Sequence, residues 1–314
     1  MGTTYSVKIA TDTLTTERRA QVHAGIGQRL LEINRAMSTY DGDSELEMFN
    51  RGEEGLPFRA SRPLIEVFTM AREVSERTGG AFDITVRPLV EAWGFGSTKP
   101  PLERPPDSLL DVLRQTVGYR RVSIDPTAQT LTRTQPDVMT DLSAIAKGYG
   151  VDVIAHFLQT SGFCCFLVEI GGELKAQGVK PGGMPWRIGL EAPTADQLEI
   201  LGTIELGDAG MATSGDYRQF VEWNDKRFAH VIDPRTGYPV PYRSASVTVV
   251  HPETTLADAW ATGLSVLGPH EGYIVAEAEG IAAHFAWSVH GEIETRATTQ
   301  FQNRYPISEI TRTP

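Results

Sequence analysis

The sequence predicts an α+β fold with mainly antiparallel and mixed sheets and packed helices. Two observations carry this prediction: helical and strand periodicities are interspersed along the whole chain, and turn signals join several strand patterns into hairpins. A third narrows it, because no repeat at a fixed period points to a solenoid or propeller.

Taken in order, residues 16–37 place Ile26, Leu30, Ile33 and Met37 at spacings of three and four, which predicts an amphipathic helix. Residues 63–78 repeat the pattern and are closed by Gly79 and Gly80. Residues 97–106 (STKPPLERPP) are too rich in proline for regular structure and read as a loop. Residues 122–132 alternate around a turn at Asp125 and Pro126, which predicts a hairpin. Asp141 or Ser143 is placed to cap a helix that runs to about Gln159 and ends at Gly162. Residues 163–170 then read as a buried strand that stops at Gly171 and Gly172. Further strands are expected at 187–190 and 201–206, as a hairpin-like pair around Asn224 and Asp225, and at 244–250. A helix from Thr255 to about Leu267 follows, and short strands end the chain.

Of the 314 residues, 40% are hydrophobic and 22% charged, enough apolar material for a large core. With no low-complexity linker, residues 1–314 are expected to form one compact unit. The net charge of −11 argues against nucleic acid as a partner, since phosphate backbones are held by clustered Lys and Arg. An anionic ligand would need local cations or a metal. Cys164 and Cys165 are adjacent in an apolar run, where a mutual disulfide would be strained, and read as buried strand residues. No stretch approaches the roughly 20 apolar residues of a membrane span, and the first residues lack the zones of a signal peptide, so a soluble chain is expected.

Three segments carry candidate chemistry. Residues 141–149 (DLSAIAKGY) begin a helix whose free N–H groups suit phosphate and whose first turns carry Lys147. The same residues also read as an ordinary capped helix with a surface lysine. Asp258 and Thr262 lie four apart on one helix face and offer oxygens to a hard cation such as Mg²⁺, though each also has a purely helical use. His230 precedes an Asp233-Pro234 turn and follows residues 213–217 (TSGDY); it is a candidate general base, or a solvent-facing neighbour of a tight turn. No Walker loop and no dinucleotide-binding glycine motif is present.

In this order, residues 1–7 (MGTTYSV), 37–46 (MSTYDGDSEL), 80–83 (GAFD) with Pro88 and Trp93 to Gly96, 141–149 and 168–174 (VEIGGEL) resemble the ApbE family of flavin transferases. The resemblance continues through residues 212–217, 230–237 (HVIDPRTG) and 258–262 (DAWAT). It implies an ApbE-like, T-fold-related unit that takes FAD as donor, uses Mg²⁺ and releases AMP. FMN would pass to a Thr or Ser of an acceptor flavoprotein, such as a quinone reductase subunit or a related electron-transfer protein. Carried over by position, Met1, Tyr40, Ala81, Phe82, Asp83, Asp141, Lys147 and Ile232 are the implied flavin-nucleotide contacts. Asp258, Thr262 and the Ala144 carbonyl are the implied Mg²⁺ ligands. His230, or the nearby carboxylate of Asp216, would take the proton of the acceptor hydroxyl.

Members of the family are commonly exported lipoproteins with a leader ahead of the MGT block, whereas this sequence starts at that block. The resemblance therefore implies a periplasmic or membrane-anchored protein, and the sequence as it stands leaves the cytoplasm open. Tyr40 matters because a hydrolytic branch, which splits FAD to FMN and AMP, has it replaced; its presence here favours transfer. The alternatives are an FAD pyrophosphatase and a flavin carrier without turnover.

Overall fold

The computed structural model describes residues 2–11, 13–96, 103–193, 199–216, 220–223, 226–241 and 245–309. The first third is mostly helical. After β1 (Tyr5–Ile9) come α1 (Thr16–Met37), α2 (Glu45–Arg51), the short β2 (Phe58–Arg59), α3 (Arg62–Arg77), α4 (Arg87–Ala92) and α5 (Asp107–Arg114). The hairpin β3 (Val122–Asp125) and β4 (Thr130–Arg133) leads to α6 (Ala146–Thr160). Strands then dominate: β5 (Phe166–Ile170), β6 (Glu173–Gln177), β7 (Arg187–Glu191), β8 (Ile200–Glu205), β9 (Gly210–Gly215), β10 (Phe220–Trp223), β11 (Lys226–Asp233), β12 (Tyr238–Pro241) and β13 (Ala245–His251). The long α7 (Thr254–Ala278), β14 (Ala282–Val289), β15 (Glu292–Ala297) and α8 (Thr299–Arg304) complete it.

Seven strands form the main sheet in the order β1-β5-β6-β9-β13-β14-β15, with antiparallel neighbours throughout. Smaller antiparallel sheets are β10-β11-β12, β2-β4-β3 and β7-β8. The central strands β13 and β14 of the main sheet are buried on both faces, as their side chains record residue by residue. Val247 and Val249 join a core with α3 and α7, whereas Val250 joins another with Trp186, Leu190 of β7 and Phe301 of α8. Alternate side chains of one strand thus serve opposite layers. On the helical side α6 and α7 lie together against the sheet, with α1 and α3 outside them.

Two close approaches set where α6 and α7 begin. Gly148 of α6 faces the start of α7, where a Cβ would stand 2.4 Å from the Thr254 carbonyl oxygen. Nothing larger fits. Asp152, one turn further along α6, accepts the N–H groups of Thr254 at 3.0 Å and Thr255 at 2.8 Å and the Thr255 hydroxyl at 2.7 Å. It caps α7 from a neighbouring helix, since α7 has no side-chain cap of its own. At its far end α7 breaks at Gly268, whose φ of 77° precedes Pro269, so the helix expected to stop near Leu267 ends its straight part there and resumes after the kink.

Several expectations need correction. The helix expected from Asp141 or Ser143 begins at Ala146, and neither residue caps it. Asp141 instead accepts the Ser143 N–H at 2.6 Å, because a short Asp side chain bonds its own backbone two residues on. The strand expected from residue 163 starts at Phe166, where pairing with β1 begins. Cys164 is therefore exposed and Cys165 only half-buried, just ahead of the strand. Among the described residues the last regular element is not a strand but α8, capped by the Thr298 hydroxyl on the Phe301 N–H. The hairpin β10-β11 forms, while its turn at Asn224 and Asp225, like most of the proline-rich loop (97–102) and Ser244, lies outside the described residues. No helix among the described residues is long and apolar enough to cross a membrane.

Candidate active site

A cavity of about 430 Å³ opens where the α6-α7 pair meets the β10-β12 sheet. Tyr40 comes from the loop after α1, and Ala81, Phe82 and Asp83 from the α3-α4 connection. Asp141, Ala144 and Lys147 come from the turn into α6, Glu173 from β6, His230 and Ile232 from β11, and Asp258 and Thr262 from α7. Residues up to 227 positions apart in sequence (39 and 266) share one space. Met1 lies outside the described residues.

One end of the cavity is ionic. The Lys147 ammonium stands 3.4 Å from Glu173 Oε1 and 3.8 Å from Asp258 Oδ1, and donates to the Ser143 carbonyl at 3.3 Å. Asp258 Oδ2 accepts the Gly148 N–H at 3.0 Å, one of the free donors in the first turn of α6. Both carboxylates are 4% exposed. Burial pushes Asp258 above its ordinary range, against the pull of Lys147 and the Gly148 N–H. Burial, together with the Asp258 charge, pushes Glu173 up to about 8. Burial works against the charge of Lys147, yet Asp258 and Glu173 outweigh it and hold the ammonium above its usual pKa. Lys147 is thus no surface lysine.

The other end is built on the β10-β12 sheet. The β11-β12 register shifts between Phe228 and Ile232, a bulge that carries His230, and such irregularities re-aim side chains. The Phe95 ring meets the His230 ring edge-on, with centroids 6.3 Å apart. Fully buried Trp93 donates its indole N–H to the Gly237 carbonyl at 2.9 Å and packs its ring on Phe228 and Tyr238. Asp233 accepts from the Arg235 N–H and guanidinium at 2.9 Å, and its carbonyl accepts the Gly237 N–H at 2.8 Å. The tight turn expected at Asp233 and Pro234 forms, and His230 lines the cavity.

The remaining walls are held from behind. Buried Asp83 accepts from the Thr85 N–H at 2.8 Å and hydroxyl at 2.7 Å, and from the Tyr119 N–H at 2.6 Å. Burial raises its pKa and these bonds oppose the rise. The Asp141 N–H donates to the Ile84 carbonyl at 2.7 Å, which ties the α6 turn to the α3-α4 connection. Tyr40 is 73% exposed at the rim, an aromatic ring with an open face.

Residues 1–285 match the ApbE family. The chain belongs to the ApbE family. An FAD:protein FMN transferase of Vibrio cholerae is 42% identical over 281 residues, covering 90% of this chain and 83% of that protein. One from Haemophilus influenzae is 39% identical over 306 residues, covering 96% of this chain and 88% of the relative. Among solved structures, the flavin transferase ApbE from Vibrio cholerae superimposes with a TM-score of 0.87 at 38% identity, covering 97% of this chain and 96% of that one. The apo flavinyl transferase ApbE of Pseudomonas stutzeri gives 0.87 at 34% identity, over 98% of this chain and 95% of the other.

The ApbE resemblance implies a magnesium ion, and the donor set can be tested against it. Among the described residues no group of three or more His, Cys, Asp and Glu side chains forms a metal cage. The cavity instead offers hard oxygens: the Asp258 carboxylate, the Thr262 hydroxyl and the Ala144 carbonyl. Mg²⁺ takes few carboxylates from protein and fills its octahedron with water and phosphate oxygens, so the set fits.

Asp216 is a different matter. It does not line the cavity; it is 2% exposed and its Oδ1 accepts the Ala245 N–H at 2.6 Å, with its own N–H returned to the Ala245 carbonyl. Its carboxylate thus fastens the end of β9 to β13, as a buried polar group must find a hydrogen-bond partner. Among the cavity residues that the sequence did not single out are Glu173, Arg87 and Phe95. Glu173 follows the Gly171-Gly172 turn, Arg87 pairs with buried Glu47 and with Glu91 at 2.8 Å, and Phe95 touches His230. Each lay inside or beside a motif already noted, yet nothing in one dimension said which way its side chain pointed.

Proposed function

We propose that this ApbE-family enzyme transfers FMN from FAD to the hydroxyl of a Thr or Ser in an acceptor protein, forming a phosphoester and releasing AMP. Its membership of a family of flavin transferases supplies the reaction class. The observation that carries the finer reading is one cavity with an ionic end at the first turn of α6 and a histidine at the other.

The exposed Tyr40 ring and the Phe82 wall receive the flavin, and the α6 start with Lys147 holds the pyrophosphate through N–H groups and charge. Asp258, Thr262 and the Ala144 carbonyl would hold Mg²⁺, which when bound neutralises charge on the phosphate oxygens. His230 takes the proton of the acceptor hydroxyl on a ring nitrogen. The hydroxyl oxygen bonds the phosphorus on the FMN side, the P–O bond to the AMP phosphate breaks, and AMP leaves with that electron pair. Phe95 packs edge-on against the imidazole, and Trp93 ties down the β11-β12 turn beside it.

The test is incubation with FAD, Mg²⁺ and a quinone reductase subunit that carries a target threonine. A fluorescent adduct that survives denaturation, with AMP released, is the expected result, and it disappears when that threonine becomes alanine. His230→Ala is expected to bind FAD and to lose on the order of 10²–10⁴-fold in transfer. FMN and AMP accumulating at the same rate without acceptor would establish a pyrophosphatase instead, and intact FAD a carrier.

A further inference from the structure

Among the described residues, two buried side-chain oxygens have no hydrogen-bond partner: Glu173 Oε2 and Thr254 Oγ1. The threonine hydroxyl is packed against Gly210 at the α7 start, away from the cavity lining. Glu173 is different, because its side chain lines the cavity while 4% exposed. A carboxylate oxygen removed from water needs a donor or a cation, and leaving it unmet is costly.

Its position is not soft. Glu173 opens β6 opposite Ile170 of β5, directly after the Gly171-Gly172 turn. Gly171 has a φ of 61°, and a Cβ there would stand 3.2 Å from Lys147 Cδ, so its lack of a side chain lets the lysine stem pass. The ammonium then reaches Glu173 Oε1 at 3.4 Å and Asp258 Oδ1 at 3.8 Å. Asp258 spends Oδ2 on the Gly148 N–H, and Glu173 spends nothing on Oε2. With both acids ionised, two carboxylates around one ammonium leave a local excess of one negative charge, which a bound cation would offset. Oε2 has no neighbour to which a protonated Glu173 could donate either.

We infer that Glu173 is a further oxygen ligand of the divalent cation at this site, offering Oε2 directly or through one water of the ion's shell. The inference rests on the flavin-transfer reading only for the choice of Mg²⁺. Lys147 holds the glutamate by its other oxygen, so that Oε2 stays presented to the cavity. Magnesium keeps several waters and takes one or two protein carboxylates, so a second acid beside Asp258 stays within its habits.

The experiment is calorimetric titration of Mg²⁺ into the full chain without FAD or acceptor, with Mn²⁺ bound in its place read by electron paramagnetic resonance. Glu173→Gln keeps the shape and removes the charge. It is expected to weaken Mg²⁺ on the order of 10- to 100-fold, to shrink the rise in melting temperature that Mg²⁺ produces, and to alter the Mn²⁺ spectrum. Should the glutamine variant not fold, Glu173→Asp, which keeps the charge on a shorter stem, is expected to bind Mg²⁺ more weakly than wild type. Affinity within twofold of wild type in either folded variant overturns the assignment. No acceptor is present, so failure here leaves flavin transfer standing, and absence of a covalent adduct with Mg²⁺ binding intact removes the transfer reading alone.

Discussion

Two histidines show how burial alone separates roles. His230 is half-buried against an aromatic ring in the cavity, whereas His284 on β14 is 3% exposed and packs on Phe301. Burial lowers the His284 pKa to about 4. The unfolded chain binds this proton near pH 6.5, the folded chain only near 4. The stability it contributes as a neutral ring is therefore complete above pH 6.5 and is lost as pH falls toward 4. His284→Phe removes the titration while keeping a ring in place. Its melting temperature should fall less than that of wild type between pH 7 and 5, and parallel curves would refute the linkage. Glu173 has the opposite sense, since its raised pKa costs the cation-free fold stability as pH climbs toward 8.

Elements place these residues through contacts that no single helix or strand contains. Asp258 and Thr262 lie in the first turns of α7, and the cap that starts α7 belongs to α6. Asp152 also pairs with Lys175 of β6 at 2.8 Å, so one carboxylate fixes two helices and the sheet. Asp152→Ala leaves two N–H groups of α7 without that partner and should cost about 1–2 kcal/mol, the scale of a lost N-cap. Denaturant unfolding measures it; a change under about 0.3 kcal/mol would show that water replaces the cap fully. Fraying would also shift Asp258, so Mg²⁺ affinity should weaken in parallel. On the opposite wall the Trp93 indole clamps the β11-β12 turn, and the neighbouring Phe95 backs His230.

At the scale of the molecule the cavity is a seam. The main core under the sheet contributes Phe82 and Ile84, and a separate small core of Leu89, Trp93, Leu110, Val117 and Ile232 carries the β11-β12 wall. A ligand that touches both cores binds the folded chain and has no equivalent in the unfolded one. FAD at about 100 times its Kd should therefore stabilise the whole chain by about 2.7 kcal/mol. Calorimetric scans should show one transition moving upward with FAD, and further with FAD and Mg²⁺ together. A melting temperature indifferent to FAD would place the flavin elsewhere.

What the sequence determined by itself was periodic or motif-bound: helices 16–37 and 63–78, the hairpin at 122–132, and the residues of the ApbE blocks from Tyr40 to Thr262. Periodicity is legible because one face of each element meets one core. Short elements such as α4 and α5 escaped it, being too brief to show a period. Side-chain direction escaped it as well. Asp216 and Glu173 are both acids near motif glycines, and only tertiary packing turns the first onto the Ala245 backbone and the second into the cavity. A buried carboxylate goes to whichever donor or cation the assembled layers leave within reach, and that choice exists only after the chain has folded.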